Sequence, residues 1–142
     1  MKNSIVAIVI VLLLCWALAP AAGQQDSPPG SIKLLPGYQH KTLQGIDTSV
    51  GKIWKDGGIE IQYDIGRLAG DYANPKYPER YVWHREQSIG GRRVHSALDK
   101  RNTLIVSFPD TSANFMAEVK SHEDIVDMLL MVLTYEPDSR AR

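Results

Sequence analysis

Ile59-Glu60-Ile61-Gln62-Tyr63-Asp64-Ile65-Gly66 is the stretch that decides the fold class. Four apolar or aromatic residues alternate with three polar ones, and Gly66 ends the run. That period-two pattern predicts a strand with Ile59, Ile61, Tyr63 and Ile65 facing a core and Glu60, Gln62 and Asp64 facing away. Upstream, Ile53-Trp54 and the turn signal Lys55-Asp56-Gly57-Gly58 make it the second arm of a hairpin.

Downstream, Arg67 to Pro78 carries Gly70, Asn74-Pro75 and Tyr77-Pro78, which predicts a long irregular connection of the kind that often carries function. Tyr81–Ile89 and Arg92–Leu98 then flank Gly90-Gly91, a pair suited to the positive φ angles of a two-residue turn. This register sets Trp83 opposite Leu98 on one face, and Glu86 opposite His95 on the other. The Trp83 side has the more apolar weight, so the Glu86/His95 side is expected to see water. Leu104–Phe108 and Phe115–Val119 read as two further strands joined by Pro109–Asn114.

A helix closes the chain. Ser121 with Asp124 three residues on forms a capping-box pattern, and Pro137 stops continuation beyond about Tyr135. Ile125, Leu129, Val132 and Leu133 form an apolar stripe that Val126, Met128 and Leu130 widen past half the circumference. A face that broad needs cover on more than one side, from the sheet and from either the N-terminal segment or a partner. Consecutive strands followed by one helix predict an α+β fold: a mostly antiparallel sheet of five or six strands with one C-terminal helix packed on it.

The N-terminus predicts export. Lys2 precedes an unbroken apolar run, Ile5–Leu18, then Pro20 and the small residues Ala21-Ala22-Gly23. This is the plan of a secretory signal over residues 1–23; a retained N-terminal membrane anchor is the alternative. Residues 24–45, with Pro28-Pro29-Gly30, read as a flexible tether, 46–137 as one domain, and 138–142 as a disordered tail. Cys15 is the single cysteine and lies in the expected signal, so the mature domain holds no disulfide. An exported domain without disulfides points to a bacterial periplasmic or extracellular protein.

Without Lys2 the chain carries fifteen basic and sixteen acidic side chains, a balance that does not favour nucleic acid. The distribution is uneven: residues 76–101 hold seven basic and three acidic groups, and residues 102–142 three and seven. Phosphate-loop, zinc-protease and serine-elbow spacings are missing from the sequence, so neither cofactor nor metal is expected. His84, His95 and Glu86 share a hairpin face and have zinc-ligand chemistry, but an exposed hairpin face with a cross-strand Glu–His pair is the favoured reading.

The candidate binding residues are Arg85, Arg92 and Arg93 on the basic hairpin, and Asp64 and Asp71 around the long connection. The arginines suit an anionic envelope component or an acidic protein face, because a guanidinium fork binds two oxygens at once. The expected role is a non-enzymatic binding or accessory module of the bacterial envelope or secretome. The rivals are a small hydrolase using Asp64 and Asp71 with a hairpin histidine, and a homo-oligomer formed through the C-terminal helix. The exported form should begin near Gln24, which the intact mass of secreted protein measures; a mass that retains Met1 identifies an anchor.

Overall fold

A computed structural model describes residues 27–137. The expected signal over 1–23 and tail over 138–142 lie outside the described residues. The strands are β1 (Gln39–Leu43), β2 (Ser49–Trp54), β3 (Glu60–Ile65), β4 (Tyr81–Ile89), β5 (Arg92–Asp99), β6 (Thr103–Phe108) and β7 (Ala113–Glu118). One helix, α1 (His122–Val132), follows them. All seven strands form one antiparallel sheet in the order β1-β2-β3-β7-β6-β5-β4. The fold is α+β as the sequence predicts, with seven strands in place of five or six.

The additional strand is β1. It lies in the stretch expected to be a flexible tether, and Gln39-His40-Lys41-Thr42-Leu43 has no apolar alternation to reveal it. It exists because β2 offers an edge, along which five residue pairs form from Gln39–Trp54 to Leu43–Val50. Residues 27–38 are also not a free linker. Ser31 donates from Oγ to the Thr134 carbonyl at 2.6 Å, and the Lys33 amide donates to Thr134 Oγ1 at 3.0 Å. Ile32 and Tyr38 are buried in the core, and the Tyr38 hydroxyl donates to Asp127 on α1 at 2.7 Å. Burial, reinforced by that bond to a carboxylate, pushes the Tyr38 hydroxyl pKa upward.

Two sequential meanders, β1-β2-β3 and β4-β5-β6-β7, meet at the β3–β7 ladder. On one sheet face Ile53, Ile61, Tyr63, Val94, Val106, Phe108 and Phe115 build the core. Helix α1 lies over this face and inserts Met128, Met131 and Val132, while Tyr135 packs edge-on against Phe115 with ring centroids 5.3 Å apart. Gly51 is opposite Tyr63, and the phenol crosses the place a Cβ would take to reach His40 Nε2 at 2.9 Å. Only glycine leaves that path open.

The helix begins as expected. Ser121 Oγ accepts the Asp124 amide at 3.1 Å, and Asp124 Oδ2 accepts the Ser121 amide at 2.9 Å. Backbone donors from Lys120 and Ser121 hold the Asp124 carboxyl pKa below its ordinary value. The expected apolar cover is intramolecular: the sheet lies on one side of α1, and Ile32, Leu34 and Leu35 belong to the same cluster. Val126 and Leu130 remain exposed. Among the described residues no helix is long and apolar enough to cross a membrane.

The turn and register of the second hairpin match the sequence reading. Gly90 and Gly91 take φ angles of 58° and 78°, and Trp83–Leu98 and Glu86–His95 are partners as expected. Met131→Ala should cost about 2–5 kcal/mol, because the side chain is fully buried. Ser121→Ala should cost about 1 kcal/mol, and Leu130→Ala, on the exposed side of α1, less than about 0.5 kcal/mol. Denaturant titration of the three variants measures this order.

Candidate functional site

The sheet face opposite α1 carries a polar row beneath the long connection, and beyond the row an open groove reaches round to the start of α1. The polar row runs straight across five strands. Asp64 pairs with Asn114, Asn114 with Ser107, Ser107 with His95, and His95 with Glu86. Period two produces it: where Tyr63, Phe115, Val106 and Val94 face the core, their chain neighbours face the other side.

Residues 66–80 lie across this row, because β3 sits mid-sheet and β4 at the far edge. The Tyr72 amide donates to Asn114 Oδ1 at 3.0 Å, and the Ala73 amide donates to Ser107 Oγ at 3.1 Å. Ser107 Oγ donates to Asn114 Oδ1 at 2.7 Å, and Asn114 Nδ2 donates to the Gly70 carbonyl at 3.2 Å. Asn114 and Ser107 are fully buried, so these bonds satisfy groups that would otherwise be costly to bury. The Tyr81 hydroxyl donates to the Tyr72 carbonyl at 2.8 Å, closing the far end of the crossing.

Asp71 and His95 are joined at 2.8 Å between Oδ2 and Nδ1. His95 Nε2 faces Glu86 Oε1 at 3.6 Å, too far for a hydrogen bond, and the buried Nε2 has no hydrogen-bond partner. The His84 ring stands edge-on to His95 with centroids 6.3 Å apart and stacks on Tyr81 at 5.7 Å. Burial raises the Tyr81 hydroxyl pKa, with Asp71 and Glu79 adding to it and Arg80 opposing. Asp64 accepts the Tyr72 hydroxyl, a bond that, with burial, pushes this phenol up to about 12.

The face expected to see water is therefore covered at β5. The β4–β5 register was legible locally, but a connection arriving from mid-sheet covers His95, which keeps 5% of its surface exposed, while Trp83 on the opposite face keeps 47%. Asp64 and Asp71 both lie at this crossing, each bonded to its own partner, Tyr72 and His95 respectively. His95 has the Asp–His half of a general-base arrangement, with its Nε2 turned to Glu86 and its side chain 6% exposed. Among the described residues no three His, Cys, Asp or Glu side chains are arranged to hold a metal ion.

The arginine pair does not form the expected exposed fork. Neighbours in a strand point to opposite faces, so Arg92 and Arg93 diverge. Arg92 donates from Nη2 to the Leu133 carbonyl at 3.2 Å, at the C-terminal end of α1, and its guanidinium lies 5.4 Å from the Phe108 ring centre. There it meets the negative end of the helix dipole. Arg93 pairs with Asp110 at 2.6 Å on the surface. Arg85 stands exposed on the edge strand β4.

Sequence reasoning did not single out the groove. The β3–β7 ladder covers four pairs, Gln62–Met116 to Ile65–Ala113, and past Gln62 and Met116 the two strands have no ladder pairing. The groove there has a volume of about 780 Å³. Ile59, Glu60 and Gln62 line one side, Met116 and Glu118 the other, and Ser121 and Asp124 at the start of α1 contribute to the lining. Lys52 holds the Glu60 carboxyl pKa down through a 2.8 Å bond. None of the polar-row residues lines the groove. The signal that locates it is the alternating strand itself, which extends to Ile59 before β7 meets it.

The Tyr72 hydroxyl has a measurable signature. Its folded pKa is raised, so its contribution to stability is intact below the ordinary tyrosine value of about 10 and is lost as pH rises through about 12. In ultraviolet titration, Tyr72→Phe should remove a phenolate transition near pH 12. Loss of a transition near 10 would place Tyr72 outside the bond to Asp64.

No family model matches the chain, and neither a curated protein nor a solved structure matches it significantly.

Proposed function

We propose that this protein is an exported, non-enzymatic binding module of the bacterial envelope or secretome, and that its ligand site is the groove where β3 and β7 part. The observation that carries this reading is the groove itself: about 780 Å³ of open space between two strands of one sheet, within the range of small-ligand pockets. Past Gln62–Met116 the two strands have no ladder pairing and their edges border the gap. An extended peptide segment is the ligand class that uses them, since strand addition takes affinity from main-chain bonds and specificity from alternate side chains. Met116 offers an apolar contact, and Gln62, Thr103 and Ser121 offer neutral hydrogen-bonding groups.

The hydrolase reading has less support. Asp71 belongs to residues 66–80 and is bonded to His95 on β5, and Asp64 is bonded to Tyr72 of the same segment. The anionic-partner reading rested on Arg85, Arg92 and Arg93; Arg92 and Arg93 are engaged within the fold, which leaves Arg85, exposed on β4, to support it. Association through α1 would have to use Val126 and Leu130, because Met128 and Met131 are already buried.

A peptide display library selected on the native chain tests the site. Amide shifts on adding a selected peptide should concentrate in residues 57–62 and 116–121, and Met116→Asp should weaken binding at least tenfold. Shifts confined to residues 71–73 and 95, or to 85, would assign binding to the polar row or the arginine hairpin and overturn this reading.

A further inference from the structure

We propose that the N-terminal stretch Asn3–Gln25 is retained as a membrane anchor, and that the end of the sheet where the folded chain begins rests on the lipid through Ile46 and Leu68. Sequence alone favours a cleaved signal over 1–23; the place where the chain enters the fold favours the alternative. Several connections meet at that end. Thr48, between β1 and β2, lies against Gly66 after β3, so that a Cβ on Gly66 would stand 3.0 Å from the Thr48 methyl. The Gly66 amide donates to the Ser112 carbonyl of the β6–β7 connection at 3.0 Å. Asp110 of the same connection pairs with Arg93 beside the β4–β5 turn. Arg92 there reaches the C-terminal end of α1, where Ser31 Oγ donates to the Thr134 carbonyl and the Ser31 amide to the Glu136 carbonyl. The N-terminus therefore enters the fold at this rim. The groove lies at the other end of the sheet, where α1 begins.

The rim is apolar where it is most exposed. Among the described residues Ile46 is 99% and Leu68 73% exposed, the two highest values for large apolar side chains, and Leu43 is exposed beside them. One such side chain is ordinary on a protein surface. Here two stand on connections that touch, at the end where the chain enters. Reach supplies the occupant. Asn3–Gln25 contains no charged side chain, and about 20 predominantly apolar residues span a bilayer. From Gly23 to Ser27, the first residue described, four peptide steps cover at most about 14 Å. A domain tethered that closely meets the bilayer at high effective concentration, so a shallow apolar contact suffices where it could not hold a free protein. Charge does not decide the contact: exposed Arg67 and Lys33 are offset by Asp47 and Glu136, and Arg93 is paired with Asp110. The proposal goes beyond the binding reading and does not depend on what the groove holds, but it leaves the groove facing away from the membrane.

The full chain in phosphatidylcholine nanodiscs, with gadolinium chelated on a fraction of the headgroups, tests this through amide relaxation. The effect falls with the sixth power of distance, and strands of this length hold the two ends about 20 Å apart. Enhancement at residues 45–47 and 67–69 should therefore exceed that at 57–58 and 118–120 by at least about fivefold. Adding phosphatidylglycerol should change this ratio less than about twofold, because the contact is apolar. Ile46→Asp with Leu68→Asp, both at exposed positions, should lower the rim enhancement at least about threefold, while the variant still floats with the discs through its N-terminal stretch. A maximum at 57–58 or 118–120, or an unchanged ratio in the double variant, would overturn the lipid contact. Rim shifts that depend on chain concentration, without enhancement, would assign Ile46 and Leu68 to a second copy and overturn it too. Exported protein whose intact mass begins at Gln24 would overturn the anchor. None of these results bears on peptide-induced shifts in the groove, so the two readings fail separately.

Discussion

The pairing of β3 with β7 is the constraint on which the rest of the molecule depends. Without it the chain is two separate meanders, a three-stranded one and a four-stranded one, each too small to cover its apolar face. Four residue pairs join them, and Tyr63 opposite Phe115 stands at the centre of that junction. Both rings are buried, with centroids 6.3 Å apart, and Phe115 passes the contact on to Tyr135 and Phe108. The helix and the N-terminal segment pack over the seam thus made. The partners are about fifty residues apart in the chain, so this closure has a large loop entropy and relies on local hairpins forming on either side.

From that pairing follows the asymmetry of the second sheet face. A strand in mid-sheet must hand the chain to an edge strand, so residues 66–80 have to cross β7, β6 and β5. The crossing buries backbone groups, and the sheet meets them with Asn114 and Ser107. A polar row inside an otherwise apolar sheet is thus explained by what lies on it. Past the last β3–β7 pair nothing comparable crosses among the described residues, and the groove opens. The sheet therefore has a fastened region and an open one, and chemistry suited to holding a loop is separated from space suited to holding a ligand.

The arginines show how far a surface reading changes once a strand is given two sides. Arg92 and Arg93 are adjacent in the chain and on a tight turn, which suggests one cationic patch. Their side chains leave in opposite directions: one caps the end of α1 and stacks over Phe108, and the other pairs with Asp110. Part of the charge asymmetry between residues 76–101 and 102–142 is thus satisfied within the molecule, as basic β5 meets acidic or carbonyl groups of later elements.

The sequence by itself determined the local elements: the alternation over Ile59–Ile65, the Gly90-Gly91 turn with its register, the Ser121–Asp124 cap and the α+β class. Each of these rests on interactions within about ten residues, where period, turn chemistry and capping act without reference to the rest of the chain. Asp64, Asp71 and His95 were legible as residues to watch, because a carboxylate at a strand end and a histidine on a hairpin are locally unusual. What they do was not legible. Tertiary structure alone decided that Gln39–Leu43 becomes a strand, since its stability comes from the β2 edge and not from its own pattern. It alone brought Asn114 and Ser107 beneath Tyr72 and Ala73, covered the His95 face, and opened the groove. Each of these depends on which distant strand lies alongside, and period-two alternation fixes the face a side chain takes but not the neighbour it meets.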